Sequence, residues 1–166
     1  AHGLSNDLKV VLDAAELLQA DRDIQIVLLG SGKEKPHLMA EAQERSLENV
    51  HFLPPAPKNE MREALAAADA CLAILKPIEL YKTTYPNKVF DYMAAGRAVI
   101  LAIDGVIRQV VEGVDAGLAV PPGNPQALAE AVIALAHDRN HCRRLGLNGR
   151  QVIEDRFSRE QLADQF

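Results

Sequence analysis

The stretch Tyr85-Pro86-Asn87-Lys88-Val89-Phe90-Asp91-Tyr92-Met93-Ala94-Ala95-Gly96-Arg97-Ala98-Val99-Ile100 reads as a polar turn, an amphipathic helix, a glycine stop and a buried strand. It also gathers Asn87, Lys88 and Asp91 into one short window. A helix N-terminus presents unpaired backbone N–H groups and a partial positive charge, which suits phosphate. Lys88 adds a full positive charge at that end. Asp91, three residues on, lies on the same helical face. A carboxylate there can accept hydrogen bonds from vicinal hydroxyls, such as a ribose offers. Phosphate and sugar-hydroxyl recognition side by side describe a nucleotide-diphosphate site. An ordinary capped helix with surface charges is the other reading.

Outward from this window, strands and helices alternate along the chain. Apolar runs bounded by turn residues predict buried parallel strands at 24–29, 50–53, 70–75, 98–102 and 117–120. Helical patterns fill the intervals at 6–20, 33–45, 59–68, 87–95 and 105–112. In the first, Leu8, Val11, Leu12, Ala15 and Leu18 form one stripe. Met61, Leu65 and Ala68 are the inward positions of the third. Asn124-Pro125 opens a further helix, with a capping Asn and Pro at the first helical position. Another runs over 140–155, weakened by Gly146 and Gly149. Ser158-Arg159-Glu160-Gln161 has capping-box spacing for a last short helix. Such alternation implies an α/β fold, Rossmann-like and three-layered, with a parallel sheet and helices on both faces. The first helix has no strand before it, and His2-Gly3 reads as the end of a strand-to-helix turn. The expectation is one domain over 1–166 that lacks its first strand and forms the back half of a longer protein.

Bulk properties exclude several classes. The net charge is −5 and there is no Trp, so neither a basic face nor an aromatic platform for nucleic acid is present. No apolar run is long enough to span a membrane. Cys71 and Cys142 are too few for a disulfide framework. Cys71, inside an apolar strand, is expected to be a reduced core thiol, as in a cytosolic protein.

In parallel sheets ligands bind beyond the carboxyl ends of the strands, so the strand-to-helix turns carry the chemistry. Gly30-Ser31-Gly32-Lys33 is a glycine-rich turn after a strand, where backbone N–H groups can approach a ligand closely. It completes neither a Walker A motif nor Gly-x-Gly-x-x-Gly, because Lys35 stands in the third glycine's place. A tight turn without a ligand is the alternative. Gly3 and Asn6 form a second nest before a helix, unless Ser5 or Asn6 merely caps that helix. Leu53-Pro54-Pro55 ends a strand in a rigid turn whose carbonyls could read a planar base, or could be a stiff loop. Glu79, Tyr81, Lys82, Thr83 and Thr84 form a polar loop that can hold substrate hydroxyls or be simply solvated. Asp104-Gly105 opens a helix at the same edge. His137 and His141 have helical metal spacing, but Asp138-Arg139-Asn140 reads as a helix break. No Gly-x-Ser-x-Gly elbow occurs. Glu41, Glu44 and Glu48 read as a solvated helix face.

Taken in order, several of these segments resemble the carboxyl-terminal half of GT-B glycosyltransferases of the large retaining family four. The segments are Val50–Pro55 with Met61–Asp69, then Pro86–Ile100, then Gly117-Leu118-Ala119-Val120-Pro121-Pro122-Gly123-Asn124-Pro125, and the tail Phe157–Glu160. The Pro-Asn-Lys variant of the helix is similar to bacterial enzymes that transfer N-acetylated amino sugars or deoxysugars in surface-polysaccharide assembly. The resemblance implies that Asp91, where the family has Glu, binds the donor ribose. Thr83 stands where many members carry a second Glu, and Asn6 where many carry a Lys. Lys88 and its helix end then compensate the diphosphate, the Leu53-Pro54 turn meets the base, and Gly30, Ser31 and Gly32 line the donor cleft. The expected donor-binding set is Gly3, Asn6, Gly30, Ser31, Gly32, Leu53, Pro54, Thr83, Thr84, Asn87, Lys88 and Asp91. No metal or cofactor is expected and no catalytic base is assigned. The implied partners are a nucleotide sugar, UDP-linked by preference, an amino-terminal domain of the same protein, and a glycan or lipid-linked acceptor. The implied place is the cytoplasm, peripheral to the inner membrane through the amino-terminal domain. Two other readings are a GT-B sugar-nucleotide epimerase and a non-catalytic nucleotide-binding α/β module. The first needs acidic and His catalytic residues that are not placed; the second lacks a complete dinucleotide fingerprint.

Overall fold

A computed structural model describes residues 1–164. Five strands follow the expected order: β1 (Ile26–Leu29), β2 (Val50–Leu53), β3 (Ala70–Ile74), β4 (Ala98–Ala102) and β5 (Gly117–Ala119). Seven helices accompany them: α1 (Leu8–Leu17), α2 (Lys35–Glu44), α3 (Lys58–Ala67), α4 (Asn87–Ala94), α5 (Val106–Gly113), α6 (Pro125–His137) and α7 (Arg139–Ala163). Short 3-10 turns cover Leu4–Asn6 and Glu79–Thr83.

All pairing is parallel, as the helical crossovers require. It forms two ladders, β1-β2 and β3-β4-β5, rather than the one sheet expected. Among the described residues no strand pairs with both ladders. Instead residues 1–6 pass over their carboxyl ends: the His2 N–H donates to the Ser31 carbonyl at 2.9 Å, and the Lys76 N–H to the Ser5 carbonyl at 2.9 Å.

β4 shows why this fold needs helices on both faces. Ala98, Ile100 and Ala102 join a core with α1 and α6, while Val99, Leu101 and Ile103 join a second core with α4 and α5. Successive side chains point to opposite faces, so a strand apolar at every position must be covered twice. The predicted α1 stripe is buried at Val11, Leu12, Ala15 and Leu18. α3 presents Met61, Leu65 and Ala68 inward as expected, yet none is fully buried.

The helix boundaries follow their caps. Asn124 Oδ1 accepts the Ala127 N–H at 2.9 Å, and Pro125 takes the first position of α6. At the end of α4, the Gly96 N–H reaches the Met93 carbonyl and the Arg97 N–H the Tyr92 carbonyl, both at 3.0 Å. This pair closes a Schellman motif, with Gly96 at φ +71°. Asp138 breaks the chain between α6 and α7, and its Oδ1 caps the His141 N–H at 3.0 Å.

Two expectations about the tail are corrected. α7 runs unbroken to Ala163, so Ser158–Gln161 is not a separate helix. Its exposed second half has neither Gly nor Pro after Gly149, and i,i+4 pairs such as Arg150–Glu154 at 2.8 Å support it. Gly146 and Gly149 do not interrupt α7. They are where it touches β4 and α4, because a Cβ on Gly146 would lie 2.1 Å from the Gly96 carbonyl oxygen. Glu41 also differs from a solvated charge: with Asp13 and Glu16 it holds Arg45 at 2.7–3.0 Å, joining α2 to α1. No described helix is long and apolar enough to cross a membrane.

Candidate nucleotide site

The carboxyl ends of β1, β2 and β3 bring together the first loop, the glycine-rich turn and the head of α4. Lys88 is the link. Its Nζ donates to Asn6 Oδ1 at 3.4 Å, across 82 residues of sequence, and Asn6 Nδ2 donates to the Ala1 carbonyl at 2.9 Å. Neither Ser5 nor Asn6 caps α1. Asp7 holds the cap position in the left-handed region, with no side-chain bond. Burial pushes the Lys88 ammonium below its ordinary pKa, since a desolvated charge with one neutral partner is disfavoured.

The head of α4 is not an ordinary capped end. Pro86 is its cap residue and contributes no side-chain hydrogen bond. Asn87, at the first position, is exposed and makes none either. No side chain thus caps the first N–H groups of α4, and that of Val89 donates to the Pro86 carbonyl at 3.1 Å. Asp91 lies one turn further along and is exposed. Among the described residues its carboxylate forms no ion pair or side-chain hydrogen bond, so all its acceptor sites are free. Lys88 turns to Asn6 and not to Asp91.

The glycine-rich turn behaves differently from expectation. A Cβ on Gly32 would stand 2.5 Å from the His2 carbonyl, so the close backbone approach there is to the chain's own first loop. Ser31 is exposed and accepts from His2, and Gly30 N–H donates to the Leu53 carbonyl at 3.1 Å. Leu53 and Pro54 are exposed beside this turn. Gly3 has ordinary extended backbone, and a Cβ there would meet only Asn6 Nδ2 at 3.8 Å. Space above Gly3 is thus open, continuing into a cavity of about 220 Å³ lined by Gly3, Leu4, Glu34, His37 and Lys76.

Thr83 and Thr84 end the 3-10 turn that precedes α4. Thr83 Oγ1 donates to the Leu80 carbonyl at 3.0 Å, which closes its own 3-10 turn. Thr84 is half-buried and its N–H donates to the Tyr81 carbonyl at 3.2 Å. The turn presents Glu79, Tyr81 and Lys82 to a second cavity of about 170 Å³, shared with Lys76 and Asp104. Gly105 supports it from below. At φ +94°, its Cβ would fall 2.0 Å from the Lys82 carbonyl oxygen.

Two residues of the site were not singled out by sequence. His2 is 1% exposed, stacks in tilted fashion near Phe52 at 6.1 Å, and has no partner on either ring nitrogen. Burial above all, with the nearby Lys35 ammonium, lowers its pKa below the ordinary imidazole value. Lys35 bonds two strand-end carbonyls, Gly30 at 2.7 Å and Leu53 at 2.9 Å. The signal for Lys35 was available: a lysine at the first position of a helix opposes the helix dipole. For His2 the sequence carried no such signal.

The remaining candidates resolve structurally. His137 Nε2 pairs with Asp21 at 3.0 Å, and among the described residues no three His, Cys, Asp or Glu side chains gather as metal ligands. Cys71 and Cys142 are buried free thiols, and burial raises the Cys71 pKa to about 11, which disqualifies it as a nucleophile.

The family described as "Glycosyl transferases group 1" matches residues 4–138. The D-inositol 3-phosphate glycosyltransferase of Nocardia farcinica is 32% identical over 146 residues, 83% of this chain and 31% of that protein. The O-antigen chain mannosyltransferase C of Escherichia coli is 25% identical over 160 residues, 96% of this chain and 41% of that protein. The chain thus spans well under half the length of these curated relatives. Among solved structures, Anabaena HepE in complex with UDP superposes with a TM-score of 0.78 at 21% identity, over 96% of this chain and 44% of that one. The C-terminal domain of a group 1 family protein, LpcC from Francisella tularensis, gives 0.75 at 18% identity, over 92% of this chain and 80% of that domain.

Proposed function

The chain belongs to the group 1 glycosyl transferases, and from that premise we propose that it is the donor-binding half of a retaining glycosyltransferase. It takes a sugar from a nucleotide diphosphate, UDP-linked by preference, to a lipopolysaccharide, capsule or polyprenyl-linked acceptor. The observation that carries this is the meeting of Lys88, Asn6 and the uncapped head of α4, with the free Asp91 carboxylate one turn away. Lys88 and the helix N–H groups stabilise the diphosphate leaving group as its charge develops, with no metal required. Asp91 accepts from the ribose hydroxyls. The Leu53-Pro54 turn offers the base its carbonyls, and Gly3 and Asn6 close the cleft over the phosphates. Ser31, exposed beside Leu53 and Pro54, lines its floor, and Gly30 and Gly32 seat the first loop that closes it. The turn carrying Thr83 and Thr84 borders the sugar.

Support also comes from relatives named for sugar transfer, one of them to O-antigen, and from a UDP complex of the same fold. An amino-terminal domain then supplies the acceptor site and the base, so residues 1–166 bind donor without turnover. The reading places the protein in the cytoplasm, at the inner membrane's surface through that domain.

Ligand-observed NMR with UDP-glucose, UDP-N-acetylglucosamine, GDP-mannose and ADP-glucose tests the site. Binding of the UDP sugars is expected, and Asp91→Ala should weaken it by about 1.5–3 kcal/mol, the usual loss for a charged hydrogen-bond acceptor. An Asp91→Ala variant that binds as tightly as the wild type refutes the ribose assignment.

A further inference from the structure

Lys35 is a cation at the wrong end of a helix, and its surroundings say why it is there. Its ammonium donates to the carbonyls of Gly30 and Leu53 at 2.7 and 2.9 Å. Leu53 is the last residue of β2, and Gly30 directly follows β1. The Leu53 carbonyl also accepts the Gly30 N–H at 3.1 Å. Beyond Leu53 the ladder cannot go on, because Pro54 and Pro55 have no N–H to give. Two charge-assisted bonds from one side chain therefore hold the strand exits together where backbone pairing ends. A lysine has three N–H donors, and two are committed to these carbonyls. That geometry fixes a register; a charge serving only to attract phosphate would have no need of it.

We propose that Lys35 is a positioning residue of the nucleotide site, holding the Leu53-Pro54 turn that reads the base at a set distance from the Gly30–Gly32 turn that seats the first loop. This rests on the donor-site reading above. Lys35 touches neither base nor sugar; it acts through the two carbonyls. Without it only the Gly30 N–H holds the proline turn to the end of β1, and the base contacts lose their alignment while the diphosphate contacts at Lys88 and α4 remain.

The test is the ratio of the dissociation constants of UDP and ADP, by calorimetry, for wild type and Lys35→Met. Both ligands carry the same diphosphate. A loss of positive charge, or of folded protein, weakens both equally and leaves the ratio unchanged. A displaced base turn narrows it. The wild type is expected to prefer UDP, and Lys35→Met to shrink that preference by roughly tenfold, the equivalent of one well-placed hydrogen bond. If Lys35→Met does not fold, Lys35→Gln, whose shorter amide reaches one carbonyl only, is read by the same ratio. An unchanged ratio overturns the role of Lys35. A wild type that binds UDP and ADP equally also overturns it, while leaving the donor site standing. A wild type that binds neither overturns the donor-site reading itself.

Discussion

Gly146→Ala separates two physical arguments that predict opposite signs. Gly146 lies inside α7, and intrinsic propensity favours Ala over Gly there by about 1 kcal/mol. By that argument alone the variant is stabilised. The tertiary contact reverses it. An added Cβ would stand 2.1 Å from the Gly96 carbonyl oxygen, 2.8 Å from its carbon and 3.2 Å from the Ala98 nitrogen. All three atoms are backbone, so no side chain can rotate away. Gly96 cannot yield easily either, because it is the left-handed residue of the Schellman motif that ends α4. Overpacking of this kind costs about 1–3 kcal/mol, and a backbone clash belongs at the upper end. The net expectation is a loss of about 2 kcal/mol, or a Tm lower by about 4–8 °C for a domain of this size. Gly113→Ala is the control. It sits at the end of α5, and a Cβ there meets nothing within 4 Å. That variant should gain about 0.5–1 kcal/mol, the propensity term alone. Urea unfolding followed by circular dichroism measures both. If Gly146→Ala is as stable as wild type or more so, the seat of α7 on the α4–β4 turn is not rigid, and the reasoning fails.

Lys88→Met should stabilise the empty protein at pH 7 while weakening UDP by about 10–100-fold, the loss expected for a charged donor. Burial lowers the Lys88 pKa from 10.5, so the unfolded chain binds more protons between the folded value and 10.5. Wild-type stability attributable to this group therefore rises with pH through that window, and urea midpoints across it should show the rise missing in Lys88→Met. A variant that is less stable at pH 7 contradicts the desolvation argument. Gly105→Ala should lose about 2–3 kcal/mol, since it combines a positive φ with a contact of 2.0 Å to the Lys82 carbonyl. Calorimetric unfolding at wild-type Tm would mean that the Glu79–Thr83 turn shifts freely.

The candidate site was partly legible for a definite reason. Asn87, Lys88 and Asp91 are close in sequence, so helix periodicity alone puts them at one end of α4. The Asn6–Lys88 contact spans the sheet, and no local pattern encodes it. Lys35 signals itself only by opposing the helix dipole; its partners, backbone carbonyls at the exits of β1 and β2, carry no residue signature. The glycine-rich pattern puts a ligand at Gly32, whereas the structure gives that space to His2.

By itself the sequence determined the alternation of elements, the parallel pairing it forces, and most helix ends. Those depend on apolar periodicity and on caps such as Asn124 and Gly96, which act within a few residues. Tertiary structure alone decided how far α7 extends, why Gly146 must be glycine, and that two ladders replace one sheet. It also decided which lysine faces the cleft and which clamps its edge. Each of these depends on atoms brought together from distant parts of the chain. Whether a glycine weakens a helix or seats it is settled by what lies opposite, and only the folded chain places anything there.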